Sequence, residues 1–108
     1  MLDELPEDVL CNFLIANLYG NEAEIRPLIV DHPDAALLWQ GAYPPDVADL
    51  LSQQYDGMDI ARLKEEQDRV LLQSSASPLP LAVVRIDGRW RVDASPIIEF
   101  RKRAKRTN

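Results

Sequence analysis

Apolar residues fall into two regimes along the chain. Over residues 6–19, Val9, Leu10, Cys11, Phe13, Leu14, Ile15, Ala16 and Leu18 cover well over half of a helical circumference, whereas an ordinary surface helix shows one apolar stripe. Pro6 suits a first helical turn, Glu7 and Asp8 suit its positive end, and Gly20 suits a left-handed stop. This helix is expected to be covered on two sides, by a sheet and by another helix or a partner subunit. Asn21 and Glu24 read as the cap and return residue of a second helix, which Pro27 breaks or kinks. Pro33, Gly41, Pro44 and Pro45 leave Ala35 to Gln40 as an isolated apolar turn of undefined structure. Pro45 then opens a third helix over about residues 45–55, with Val47, Leu50, Leu51 and Tyr55 on one face, and Asp56-Gly57 ends it.

From residue 58 the pattern becomes strand-like. Met58 to Leu63, Arg69 to Ser74, Leu79 to Ile86 and Arg89 to Ala94 predict four strands in an antiparallel meander. Lys64 to Asp68 reads as a turn tip, and Ser74 to Pro78 as a flexible link. Asp87-Gly88 marks the last hairpin. A two-residue turn places Val84 opposite Arg91, a poor match of polarity. A three-residue turn with Gly88 in a bulge pairs Val84 with Trp90 and gives Ala82, Val84, Trp90 and Val92 one apolar face, and this register is preferred. The expected core contains Phe13, Leu14, Leu50, Val84, Trp90 and Val92. Ile97, Ile98 and Phe100 either extend the final strand or form a short terminal helix.

The fold class is therefore α+β, with N-terminal helices packed on a curved antiparallel four-stranded sheet. At 108 residues with 46% apolar and 28% charged content, the chain makes a single domain over residues 1–100. Residues 101–108 form a basic C-terminal tail, expected to be dispensable for folding.

Charge is segregated. Residues 1–60 carry twelve acids against Arg26 alone, residues 61–100 are balanced, and residues 101–108 hold five bases and no acid. An acidic body repels phosphate backbones, so no nucleic-acid partner is expected. Cys11 is the only cysteine, which excludes an internal disulfide and reads as a small buried thiol. No apolar run approaches the length of a membrane span and the acidic start lacks the basic segment of a signal peptide, so a cytoplasmic protein without membrane association is expected.

Helices followed by a meander that closes with Val84-Arg85-Ile86-Asp87-Gly88-Arg89-Trp90-Arg91-Val92 resemble the NTF2-like superfamily of α+β cones. About two-thirds of the chain fits, with the first helix matching the long first helix of that fold and the meander matching its sheet. The two early strands the family places between its second and third helices would fall within residues 35–43. The resemblance implies a sheet curled round a pocket, or dimerisation through its outer face. It implies no single activity, since members include isomerases, dehydratases, ligand binders and interaction modules.

The candidate chemistry is sparse. His32, between Asp31 and Pro33, reads as a loop histidine; Ser74, Ser75 and Ser77 have no base nearby. No catalytic set, metal site or cofactor-binding motif is recognisable. The expected function is a non-catalytic protein-interaction or binding module, a homodimer with a possible protein partner or small apolar ligand. The alternative is an isomerase- or dehydratase-like enzyme, or a carrier, whose pocket is lined by Phe13, Trp39, Tyr55 and Trp90. Asp93 is the acidic candidate, although it shares its strand face with Arg89 and Arg91.

Overall fold

The computed structural model describes residues 4–40, 43–77 and 79–106. Gly41, Pro78 and the last two residues of the basic tail, which figure in the sequence reading, lie outside the described residues. Helix α1 spans Pro6–Tyr19, with Pro6 at its start, Glu7 and Asp8 in its first turn and Gly20 at φ 66° closing it. Asn21 caps α2 (Glu22–Ile25), its side-chain oxygen accepting from the Glu24 amide at 3.3 Å. Pro27 turns the chain into a 3-10 segment, Arg26–Leu28. The apolar turn of undefined structure is a second 3-10 helix, Ala35–Leu38, where the family pattern places early strands. Helix α3 spans Pro45–Tyr55.

Four antiparallel strands follow in the order β1-β2-β3-β4: Ile60–Glu65, Arg69–Ser74, Leu81–Ile86 and Arg89–Asp93. The fold class is α+β, with helices packed against this open sheet. Helix α1 lies on β3 and β4, and α3 lies on α1 rather than on the sheet. Both sides of α1 are thus covered within one chain, so its excess of apolar surface needs no partner subunit.

The last hairpin corrects the expected register. Ile86 pairs with Arg89, Arg85 with Trp90, Val84 with Arg91 and Val83 with Val92. Asp87 (φ 53°) and Gly88 (φ 79°) are both left-handed, the signature of a two-residue type I′ turn, whose twist matches that of the strands. Arg91, opposite Val84, reaches out to the Pro27 carbonyl at 3.4 Å, and across the next pair the Arg85 guanidinium stacks 4.5 Å from the Trp90 ring centroid. Consequently Leu81, Val83, Trp90 and Val92 face the helices, while Ala82 and Val84 lie on the opposite face. Val70, paired with Val83, and Leu72, paired with Leu81, complete the inner face.

Phe13, Leu14, Trp90 and Val92 are core residues as expected, whereas Leu50 is 59% exposed and Val84 is only half-buried. Helix α3 is rotated relative to the expected face. Ala48 is its fully buried residue, because a helix crossing favours a small side chain that lets two helices approach closely. Tyr19 fixes this rotation from α1, donating to Asp49 Oδ1 at 2.5 Å and lying 3.3 Å from Ser52 Oγ.

Strand β1 forms one sheet edge and is exposed from Ala61 to Glu65. A register shift at Leu63 and the charges of Arg62, Lys64 and Glu65 guard this edge against further strand pairing. The other edge is covered: Ile29 makes a parallel bridge to Val92, and the Val30 amide donates to the Val92 carbonyl at 2.9 Å.

After β4 the chain becomes helical rather than extending the strand. Asp93 Oδ1 accepts from the Ser95 amide (3.1 Å) and hydroxyl (2.6 Å), opening α4 (Ser95–Arg106). The basic segment continues this helix. Arg101 donates to the Leu37 carbonyl at 2.7 Å, and Lys102 lies 3.0 Å from Asp34. Burial holds the Arg101 pKa below its usual value.

Trp90→Ala is expected to cost about 3–5 kcal/mol in urea denaturation. Ending the chain after Lys102 is expected to leave the thermal midpoint nearly unchanged. Ending it after Phe100 removes the two anchors and should cost about 1–2 kcal/mol, read as a midpoint lower by several degrees.

Candidate functional site

The segment after α2 is positioned by two local constraints and one distant one. Asn21 starts the helix, Pro27 stops it, and the bridge from Ile29 to Val92 lays the following residues along the edge of β4. A cleft of about 480 Å³ opens beside this segment, lined by Arg26, Ile29, Asp31, His32, Pro33 and Ala35. A smaller one of about 180 Å³ shares Ile29 and Asp31 and adds Ile86, Asp87 and Arg91.

The polar groups of these clefts are largely committed. The His32 Nδ1 accepts from the Asp34 amide at 3.0 Å, so a neutral His32 carries its hydrogen on Nε2 and presents a donor to the cleft. That arrangement suits holding a ligand better than abstracting a proton. Arg26 is 2.6 Å from Glu22 and lies 4.7 Å from the Trp39 ring centroid. The Arg91 Nη1 reaches the Pro27 carbonyl at 3.4 Å, while its buried Nε has no hydrogen-bond partner among the described residues.

A third cleft, about 240 Å³, lies at the start of α1 and is lined by Leu5, Pro6, Arg62, Glu65, Arg85 and Trp90 among others. Arg62 forks onto Glu7, with Nε to Oε2 at 2.7 Å and Nη2 to Oε1 at 2.9 Å, and also pairs with Glu65. The Arg62 hydrogen bonds hold the Glu7 carboxyl below its ordinary range, against the opposing effect of burial.

Four of the five pocket candidates from the sequence, Phe13, Trp39, Tyr55 and Trp90, join one apolar core rather than lining a common cleft among those described. Phe13 is fully buried between helix and sheet. Trp39 lies under Arg26, and Tyr55 packs half-buried against the core at the end of α3. Burial raises the Tyr55 pKa. Trp90 is 8% exposed at the third cleft. Asp93 is occupied in opening α4.

The other candidates have structural roles. Cys11 is partly buried, and burial pushes its thiol pKa up, which opposes thiolate chemistry. The Ser75 hydroxyl accepts from the Asp59 amide at 3.2 Å, and the Ser77 hydroxyl from the Leu79 amide at 3.3 Å. Ser74 is buried, its hydroxyl without a partner among the described residues.

Among the described residues no group of three or more His, Cys, Asp or Glu side chains is arranged to hold a metal ion, and no helix is long and apolar enough to cross a membrane. Arg26 and Arg91 are the cleft residues that sequence reasoning missed. Arg26 had one visible signal, as the only cation in the first sixty residues. Comparison with protein families, with curated proteins and with solved structures finds no match for this chain.

The Glu7 pair sets a pH dependence with a definite sign. Because the folded-state pKa is depressed, the stabilisation is fully present above the unfolded-chain value and is lost as pH falls through the folded one. Glu7→Gln is therefore expected to lower the thermal midpoint at pH 7 by a few degrees. The difference from the parent should vanish in melts taken below about pH 3.

Proposed function

We propose that this chain is a non-catalytic binding and interaction module that works through its outer surface and self-associates as a homodimer. One observation carries the reading: the space between helices and sheet is filled. Phe13, Leu72, Val83 and Val92 are each 0% exposed there, which leaves a cone of the NTF2-like type without room for a substrate. An acid–base enzyme of that type needs an ionisable group facing an enclosed pocket. The clefts of this chain instead open at the surface, and His32 presents a tethered donor. A cytoplasmic setting belongs to the same reading, supported by a single partly buried thiol that a reducing compartment keeps free.

Self-association is supported by the segregation of charge into an acidic first half and a basic C-terminal segment. Sedimentation velocity from about 1 to 100 µM is expected to show a mass rising with concentration towards twice the 12.2 kDa of one chain. A 12.2 kDa species alone throughout that range would overturn it.

A further inference from the structure

A twofold contact requires a surface complementary to itself, and most of this protein's surfaces fail that requirement. The β1 edge is guarded by charge and by the irregularity at Leu63. The outer sheet face carries Lys64, Arg69, Arg89 and Arg91 on the strand positions that point away from the helices, so a second copy of that face would meet like charge. Most of the apolar surface of α1 is covered by the sheet and α3.

Helices α3 and α4 differ. On α3 the apolar residues turned outward are Val47 (38% exposed) and Leu50 (59%), and Tyr43 (51%) is exposed just ahead of the helix. Asp46 and Asp49 flank this stripe; Asp49 is engaged by Tyr19, and Asp46 has no ion-pair partner among the described residues. On α4 the inward residues are Ile98, Arg101 and Lys102. The outward ones include Phe100 (59% exposed) and, one turn on, Arg103, also without an ion-pair partner among the described residues. One helix therefore offers an apolar stripe edged with carboxylate, and the other an aromatic knob edged with guanidinium.

We propose that a second copy of this chain covers these stripes, with Phe100 of each copy seated against Val47 and Leu50 of the other and Arg103 paired with Asp46. The contact rests on the self-association proposed above and specifies its surface. A twofold axis makes it reciprocal, so each dimer gains two such contacts. That doubling matters because a stable interface buries about 800 Å² on each partner, more than one short stripe supplies. Asp46 and Arg103 set the register, and Phe100 and Leu50 supply the buried apolar area.

The test is sedimentation equilibrium on the full chain and on Phe100→Ser, Leu50→Ser, Asp46→Lys, Arg103→Glu and the double variant D46K/R103E, each verified as folded by circular dichroism. Each single substitution is expected to weaken dimerisation by tenfold or more, on the order of one pair or one anchor lost. The double variant should return to within about threefold of the parent, since its pair is restored with reversed sign. A dimer indifferent to all four single changes overturns this surface and leaves self-association standing. A parent protein that stays monomeric overturns both.

Discussion

The two-residue turn at Asp87-Gly88 is the constraint on which the helix layer depends. With both residues left-handed, it locks Val83 against Val92, and Val70 extends that row from β2. Side chains alternate faces along a strand, so slipping this hairpin by one residue would turn Trp90 and Val92 towards solvent and Arg91 towards Phe13. Helix α1 has no other platform: it sits on β3 and β4, and α3 sits on α1. Asp at the first turn position and Gly at the second are the pairing that such backbone geometry favours. Four residues of hairpin tip thus decide where an apolar helix can settle.

Local punctuation was legible in the sequence. Pro6 and Gly20 bound α1, Asn21 and Glu24 start α2, and Pro27 ends it, because each acts through its own backbone or its nearest neighbours. Cross-strand register was not. A rule that matches polar with polar across the hairpin pairs Arg85 with Arg89, but a guanidinium can stack on an indole, and Arg85 lies across from Trp90 instead. The buried face of α3 was misread for a related reason. Ranking by hydrophobicity favours Leu50 over Ala48, while the crossing with α1 selects for size. The clefts were less legible still. Arg26 lines one cleft and Arg91 and Asp87 line another, and both clefts share Ile29, which bridges to Val92; nothing near residue 29 announces which strand it will join.

Charge segregation along the chain becomes a spatial arrangement. Acids of the first half populate α1 and α3, bases populate the outer sheet face and α4, and a few pairs stitch the two together: Glu7 with Arg62, and Asp34 with Lys102. These bridges are partly exposed, so their energetic worth is modest. Their geometric role is larger, because they attach the edge strand and the terminal helix to the body at defined points.

The clasp formed by Arg91 on Pro27, Arg101 on Leu37 and Lys102 on Asp34 joins residues separated by 64, 64 and 68 positions. The helices and the strand pairings of the meander form between neighbours in sequence, whereas the docking of α1 on β3 and β4 and the bridge from Ile29 to Val92 are distant closures of the same kind as the clasp. Local structure forms early and distant closures cost chain entropy first, so a nascent chain can hold α1 and the first hairpin before the clasp has its second half. Until β4 and α4 have been made, Ile25, Ile29 and Leu38, each at most 2% exposed in the finished fold, have nothing to close over them. The vulnerable period in the life of this protein is therefore its synthesis, when those three side chains are open to chaperones and to one another.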